Sequence, residues 1–409
     1  MRRVHLSLSL AIVGAMILGL VAGPLLGPSA APLGELGKLV IQLIKAVATP
    51  LIFFAIVNAV LTTEIAGRGA VRLVGFAMLN AMFALSIGLL LSNVLRPGTH
   101  LSGVATPRPE DLAAYAGKKV ELLKTIASYV PTSWVGPFSE NLVISIVGMA
   151  LLVGFGLRRV RTEQQAAGQV GYKVLEDAVT ASLRLLEVVL HWMVLGVPLA
   201  VFGVVAKTVG ESGFAPLLGL GWYVAVGVGG LVLHVVFTYQ LWLVLWVRMP
   251  LREFWAAARE PVVYALGANS SLATLPVTLR ALDRLRVSKA SATLGACVGT
   301  NLNNDGILLY EGMAVLFVAQ ASGMVLTLSQ QLGAAASCMV AAAGVAGVPE
   351  AGFISLALVL NTVGLPIELL PLLLTVDWVV ARGRSVVNVL SDMMLSILID
   401  GRRPATVTR

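Results

Sequence analysis

The chain has 409 residues, of which 57% are hydrophobic and only 12% are charged, with a mean hydropathy of +0.89 and a formal net charge of +8. A typical soluble domain is about 25% charged, so this composition excludes a water-soluble enzyme, a disordered chain and a nucleic-acid-binding protein. The lysines and arginines stand in short runs between long apolar stretches. That arrangement is typical of a polytopic membrane protein.

The first apolar stretch, residues 6–26, follows Arg2 and Arg3 and has the outline of a signal peptide. However, no small-residue cleavage site followed by a polar mature domain comes after it, and another apolar stretch begins near Leu36. We therefore interpret residues 6–26 as a first membrane helix.

A spanning helix needs about 20 mainly apolar residues. This rule predicts six spans in the first part of the chain: residues 6–26, 36–62, 69–94, 126–157, 174–208 and 215–247. The pattern then changes to four irregular segments: 253–287, which is polar in its middle; 290–322, which contains the polar segment 299–306; 325–365, which is rich in Ala and Gly; and 366–399, which carries charges.

The basic residues indicate how these segments cross the membrane. If 253–287 and 325–365 each enter and leave on one side, every basic cluster lies on the side of the N-terminus. Both termini are then cytoplasmic, and the loop 96–125 is outside. Paired interrupted segments late in a membrane protein indicate a binding site near the bilayer midplane. The alternative is a set of loosely packed helices with small residues at their contacts.

Two polar segments carry candidate ligands. Ser270 and Ser271 lie at the tip of the first predicted hairpin, where hydroxyls and backbone amides can hold a carboxylate, although a Ser/Thr-rich helix contact is the alternative. In 299–306, Asn303 and Asp305 interrupt a helix, and discontinuous helices supply oxygen ligands for sodium. A charged Asp in mid-membrane costs about 3 kcal/mol. Asp305 therefore needs a cation or a proton, unless it is a protonated structural group.

The last helix gives the strongest geometric argument. At 100° per residue, one stripe about 80° wide carries five residues: Asp377, Ala381, Arg384, Asn388 and Asp392. Such a stripe faces a cavity rather than lipid. Arg384 can hold a carboxylate with two hydrogen bonds, while Asp392 can meet the oxygens of 299–305 around a cation. An internal Arg–Asp salt bridge without any ligand is the alternative.

Other polar residues in apolar stretches give weaker signals. We interpret Lys45, Glu187, His191 and His234 as helix-interface or snorkelling groups. Glu311, just after the polar segment, can carry a proton. The sequence contains no P-loop, no dinucleotide fingerprint and no H-E-x-x-H motif.

Several ordered motifs together carry a family resemblance. They are Thr49-Pro50-Leu51-Ile52-Phe53-Phe54, Val130-Pro131-Thr132, Ser270-Ser271, Ala273-Thr274-Leu275-Pro276-Val277-Thr278, the segment 299–306 with Tyr310-Glu311, Ala346-Gly347-Val348-Pro349-Glu350-Ala351-Gly352, Val363-Gly364-Leu365-Pro366, and Arg384 with Asn388-Val389 and Asp392. Over nearly its whole length, the chain resembles the dicarboxylate/amino acid:cation symporters, the glutamate transporter family.

The resemblance implies an all-α polytopic membrane protein with eight transmembrane helices and two re-entrant helical hairpins, in an elevator fold that assembles as a homotrimer. It divides the chain into scaffold helices 1–2 (1–68), transport-domain helix 3 (69–95), an outer loop with scaffold helices 4–5 (96–212), the remaining transport domain with both hairpins (213–400) and a cytoplasmic tail (401–409). It implies a transporter rather than an enzyme, with no cofactor besides sodium as the coupling ion.

The resemblance also assigns residues. It places the substrate at Ser270, Ser271, Asn304, Ile307, Gly347, Ala381, Arg384 and Asn388. It places cations at Gly299, Asn301, Asn303, Asp305, Asn388, Asp392 and, in helix three, Asn80. Glu311 is its candidate for proton coupling, and Asp377 is its candidate for orienting Arg384 without contacting the substrate.

Three departures from the family pattern affect these assignments. Ile307 replaces a substrate-facing hydroxyl, and Ala381 replaces the aspartate that binds a substrate amino group. In helix three, an ungapped alignment puts Ala77, Asn80 and Ala81 where the family has a Tyr and a Thr-Ser pair, so the second sodium site departs from the pattern. Because burying an unpaired ammonium is costly, a carboxylate without an amino group is the expected substrate.

The sequence thus predicts a symporter that imports a small organic anion, a C4-dicarboxylate or an acidic amino acid, with sodium and with protons as a second candidate coupling ion. The expected location is the plasma membrane, which is the inner membrane if the source is a bacterium, and the expected partners are lipid and two further copies of the chain. The alternatives are an amino-acid symporter with a rearranged pocket, and a ligand-gated anion conductance or sensor on the same fold.

Overall fold

The computed structural model describes residues 8–62, 68–101, 130–131, 133–140, 142–301, 303–344 and 351–401. These residues form helices and turns, with no strand among them. The helices are α1 (Leu8–Leu26), α2 (Gly34–Thr62), α3 (Arg68–Leu95), α4 (Val143–Ala166), α5 (Tyr172–Val194), α6 (Val197–Ser212), α7 (Ala215–His234), α8 (Leu251–Ala268), α9 (Ser271–Arg284), α10 (Lys289–Ala292), α11 (Asp305–Ala321), α12 (Leu328–Gly344), α13 (Ala351–Val363) and α14 (Leu370–Asp400).

Four helical stretches in the described part of the chain are long and apolar enough to cross a membrane. They are Leu10–Val40, Val71–Leu95, Tyr172–Ser212 and Ala215–Val247. Each overlaps a span predicted from the sequence, and the coarse prediction of an all-α membrane protein is confirmed.

The predicted span 126–157 is misplaced. The long helix here, α4, begins at Val143 and ends at Ala166, and only a one-turn helix, Gly136–Ser139, precedes it in the described residues. Hydropathy does not detect the polar end of a helix that continues beyond its apolar part. Arg161, which lies beyond the predicted span, is in that end and pairs with Glu176 of α5 at 3.2 Å.

The predicted span 174–208 is two helices rather than one. α5 ends at Val194, and α6 begins at Val197. Pro198 stands at the start of α6, where the missing N–H of proline costs nothing, because the first N–H groups of a helix have no partner within the helix. The stretch 215–247 is continuous but irregular, since α7 passes into π-helical turns at Val235–Tyr239 and Trp242–Val247.

Small residues allow close helix packing in the first half of the chain. A Cβ atom at Gly19 of α1 would lie 2.9 Å from the Val205 Cβ of α6, and one at Gly23 would lie 2.8 Å from the Val209 Cβ. Glycine is therefore required for α1 and α6 to approach this closely, as in many membrane helix pairs.

Helices α11 and α14 form the centre of the second half. Nearly every residue of α11 is buried, which indicates a helix enclosed on all sides. α11 packs against α3, α13 and α14, while α14 also packs against α8 and α9. The two predicted hairpins are thus helical pairs, α8–α9 and α12–α13, placed against the central helices.

The tip of the first hairpin has a local explanation. Asn269 ends α8 in the left-handed region, at a φ of 50°, which Asn tolerates better than most residues. Ser270 then caps α9, because its hydroxyl oxygen accepts a hydrogen bond from the Ala273 N–H at 3.2 Å. The tip of the second hairpin, residues 345–350 including Gly347, lies outside the described residues.

Candidate functional site

The polar segment interrupts the helical path as predicted. α10 continues through a π-helical turn, Thr293–Val298, into a single 3₁₀ turn, Gly299–Asn301, and α11 starts afresh at Asp305. Leu302 and the side chain of Asn301 lie outside the described part of the structure. Because Asp305 is the first residue of α11, the partial positive charge of the helix N-terminus favours its carboxylate.

The polar stripe of α14 is buried, and it faces the start of α11. Asp377, Arg384, Asn388 and Asp392 are between 2% and 6% exposed. The Asn388 Oδ1 accepts a hydrogen bond from the Gly306 N–H at 2.9 Å. Only glycine fits at position 306, since a Cβ atom there would lie 2.5 Å from the Arg384 carbonyl oxygen.

Arg384 lies between an acid, an aromatic ring and the second hairpin. Its Nη1 and Nη2 donate to the two carboxylate oxygens of Asp377 at 2.9 and 3.0 Å. The guanidinium carbon lies 4.0 Å from the centre of the Tyr310 ring, and a Cβ atom at Gly352 of α13 would lie 3.0 Å from it. The ion pair agrees both with Asp377 orienting Arg384 and with the alternative of an internal salt bridge.

Asp392 and Asn303 have buried oxygen atoms, and Asn303 belongs to the polar segment 299–306. Asp392 is 2% exposed and Asn303 is 1% exposed. Neither the Asp392 Oδ1 nor the Asn303 Oδ1 has a hydrogen-bond partner within the described ranges. Buried acceptors of this kind are costly unless something binds them, and a hard cation takes such oxygen ligands.

Asp305 has a different environment, because protein donors converge on it. Its Oδ2 accepts hydrogen bonds from the Tyr239 hydroxyl at 2.8 Å and from the Ser391 hydroxyl, and it lies 3.2 Å from the His234 Nε2. His234 is fully buried and lies against Asp305 of another helix, so of the two interpretations given above it is a helix-interface group and not a snorkelling one. This cluster is hard to predict from sequence, since His234 and Tyr239 stand in an apolar stretch without a recognisable motif.

Both hairpins contact the site. The Asn304 side-chain amide donates to the Ala342 carbonyl at the end of α12, at 3.1 Å. The Ser385 hydroxyl donates to the Asn269 Oδ1 at the first hairpin tip, at 3.0 Å. Ser270 and Ser271, which follow in that tip, are half-buried. The substrate assignment of Ser270, Ser271 and Asn304 stays a prediction.

The other predicted site residues are buried apolar side chains in some cases and buried polar side chains in others. Ile307 and Ala381 are buried apolar groups, and Glu311 is fully buried further along α11. In α3, the Asn80 Oδ1 accepts a hydrogen bond from the Trp242 indole at 2.9 Å. The proton-coupling role of Glu311 and the cation role of Asn80 stay predictions.

Comparisons with known proteins identify a family for the chain. The model of the sodium:dicarboxylate symporter family matches residues 8–402. A C4-dicarboxylate transport protein of Anaeromyxobacter sp. (strain K) is 32% identical, over 98% of this chain and 90% of its own length. The proteins of the same name from Deinococcus radiodurans and Verminephrobacter eiseniae are 29% and 28% identical, over 98% and 97% of this chain and 90% of their own lengths.

Proposed function

Because this chain belongs to the sodium:dicarboxylate symporter family, we propose that it is a secondary active symporter that imports a C4-dicarboxylate-like anion together with sodium ions. The observation that carries the proposal is the buried guanidinium of Arg384 on α14, which lies against Tyr310 of α11 and Gly352 of the second hairpin. A planar guanidinium can bind a carboxylate with two parallel hydrogen bonds. The relatives named for C4-dicarboxylate transport support this choice of anion.

The apolar side chain at position 381 favours a substrate without an amino group. Ala381 is 4% exposed and lies on the polar stripe beside Arg384. A buried ammonium needs an acceptor or a counter-charge, and Ala381 supplies neither. Succinate-like anions therefore fit this stripe better than aspartate or glutamate.

Charge balance supports cation coupling. The Arg384–Asp377 pair is already neutral, so a dianion that enters beside it adds two negative charges to a buried region. Asp392 adds a third negative charge, and its Oδ1 has no partner in the described structure. A sodium ion bound by Asp392, Asn303, Asn388 and the Gly299 carbonyl would offset part of this charge, with Glu311 as the candidate group for a proton.

The proposed mechanism follows the family resemblance. α3, α7, the two hairpins, α11 and α14 form a transport domain that moves across the membrane against a scaffold of α1, α2 and α4–α6, in a homotrimer with cytoplasmic termini. The contacts of Asn304 with Ala342 and of Arg384 with Gly352, both in the second hairpin, support a role for that hairpin in closing over the bound anion.

Uptake into proteoliposomes tests the proposal. Purified protein is given succinate, aspartate or glutamate while a sodium gradient and a proton gradient are imposed separately. We expect concentrative uptake of succinate with the sodium gradient. If aspartate outcompetes succinate, the protein is an amino-acid symporter. If flux only follows the membrane potential, the protein is a conductance, and if folded protein moves none of the three anions under either gradient, the symport proposal fails.

A further inference from the structure

The resemblance assigns Asp305 and Asn303 to a second sodium site, completed by oxygen ligands from helix three. The donors around Asp305 do not fit that assignment. Three protein groups, those of His234, Tyr239 and Ser391, already face its Oδ2. A cation at this oxygen would face the hydrogens of these donors rather than further oxygens.

A π-helical turn explains how α7 delivers two of these groups. His234 and Tyr239 are five residues apart, which in a regular α-helix would separate them by about 140°. The π-helical turn Val235–Tyr239 closes bonds between residues five apart. It therefore brings both side chains to the same face, where both reach Asp305.

The donor role of His234 does not depend on its charge. Its Nε2 faces a carboxylate oxygen, which can only accept, so Nε2 carries the hydrogen. The Thr238 hydroxyl lies 3.1 Å from Nδ1 and can either donate to this nitrogen or accept from it. The imidazole consequently donates to Asp305 whether it is neutral or protonated.

Helix α3 offers few side-chain oxygen atoms that could bind a cation at Asp305. Ala77 and Ala81 have no side-chain oxygen, and the Asn80 Oδ1 is taken by the Trp242 indole. Among the described side chains near Asp305, the acceptors left without a partner are its own Oδ1 and the Asn303 Oδ1. Two side-chain oxygens are fewer than the ligands that a hard cation takes, and helix α3 supplies none of the rest from its side chains at positions 77, 80 and 81.

The same cluster also fixes Asn303. The Asn303 side-chain amide donates to the Ser391 oxygen, and the Ser391 hydroxyl donates to Asp305. With its nitrogen held in this way, Asn303 keeps its Oδ1 available for the cation site that it shares with Asp392. The cluster therefore orders the neighbouring site without binding an ion itself.

We propose that His234, Tyr239 and Ser391 replace the cation at Asp305, so that this chain lacks the second sodium site and uses a fixed hydrogen-bonded cluster to position Asn303. This inference rests on the sodium coupling proposed above. Its consequence is that transport depends on fewer sodium ions than the family pattern implies.

A matched pair of variants tests the proposal. Asp305→Asn and Asp392→Asn each replace a buried carboxylate by an amide of the same shape, and the sodium concentration for half-maximal succinate uptake is measured. We expect an increase on the order of tenfold or more for Asp392→Asn, the size of effect seen when a metal site is disturbed. Asp305→Asn keeps an oxygen that accepts from Tyr239 and Ser391, so it leaves Asn303 in place. We therefore expect a change below about threefold, smaller than the roughly 10–100-fold that follows when an outer-shell partner of a metal site is lost. Equal increases in both variants would overturn the proposal.

A stability measurement separates this proposal from sodium-coupled transport. Thermal unfolding in detergent is compared for the wild type, His234→Leu, Asp305→Asn and the double variant, without sodium and with it; His234→Gln, which retains a donor, replaces His234→Leu if that variant does not fold. We expect the two changes to be non-additive to the same extent in both buffers. Additive effects without sodium would contradict the cluster, even in a protein that transports nothing.

Discussion

The two ends of the polar stripe on α14 deal with buried charge in different ways. At one end, Arg384 and Asp377 neutralise each other through two hydrogen bonds of 2.9 and 3.0 Å. At the other end, Asp392 is equally buried, and the described residues provide no ion pair for it. A buried ion pair compensates for its own desolvation when its geometry is good, whereas a lone buried carboxylate does not.

This difference indicates that the charges at the Arg384 end are already compensated, whereas the carboxylate at the Asp392 end needs a bound cation or a proton. The Arg384 end can rearrange when an anion arrives, because a guanidinium can exchange one carboxylate partner for another with the same two-pronged geometry. The Asp392 end gains stability only when a cation or a proton arrives. Under the proposed function, one helix thereby carries the group proposed to bind the anion and the group proposed to bind the cation, about two turns apart.

Removing the charge at the Arg384 end should have the largest effect. In Arg384→Ala we expect succinate uptake to fall by about 100-fold or more, since truncating one member of a buried charge pair costs roughly 2–5 kcal/mol. Initial rates in proteoliposomes measure the loss. Arg384→Ala combined with Asp377→Ala leaves no unpaired acid and controls for misfolding. Uptake that survives in a folded single variant would mean that Arg384 does not bind the anion.

Raising the sodium concentration should restore succinate uptake in a variant at the Asp392 end, but not in a variant at the Arg384 end. In Asp392→Asn we expect low succinate uptake at moderate sodium and recovery at high sodium, since a weakened cation site can still be filled by mass action. Arg384→Ala should show no recovery. The measurement is uptake across a sodium series at constant ionic strength. Recovery of both variants, or of neither, would remove the distinction between the two ends.

Restoring an acid on the stripe should change selectivity. In Ala381→Asp we expect the ratio of aspartate to succinate uptake to rise about tenfold, because a hydrogen bond to a charged group contributes roughly 1.5–3 kcal/mol. Ala381→Asn has nearly the same shape without the charge and is the matched control. Competition between labelled succinate and unlabelled aspartate gives the ratio. An unchanged ratio would show that Ala381 does not face the substrate.

The arrangement of the stripe could be predicted because helical periodicity is strong there. Asp377 and Arg384 are seven residues apart, so two helical turns bring them together, and the structure pairs them. The polar segment 299–306 was equally visible, because Asn and Asp are out of place in an apolar stretch. The helical pairs α8–α9 and α12–α13 could be located from the polar or Gly-rich middles of their stretches, whereas their re-entrant course stays a prediction.

The cluster around Asp305 could not be predicted. His234 is a single polar residue in an apolar helix, which gives no direction for its side chain. Its partner Tyr239 falls on the same face only because of the π-helical turn, and hydropathy does not reveal such a turn. The displaced start of α4 has a similar cause, since apolar residues outside a helix resemble those inside it.

The smallest effect is expected at the first hairpin tip, on the side of the stripe that carries Arg384. The hydrogen bond from the Ser385 hydroxyl to the Asn269 Oδ1 connects that tip to α14, and such a bond contributes about 1 kcal/mol. In Ser385→Ala we therefore expect the succinate concentration for half-maximal uptake to rise by about two- to fivefold, with the sodium dependence unchanged. Asn269→Gly removes the same bond while allowing the left-handed backbone and should give an equal increase, whereas Ser385→Thr keeps the hydroxyl and should behave as the wild type. If Ser385→Ala instead changed the sodium dependence, the hairpin tip would act on the Asp392 end, and the two ends would not be independent.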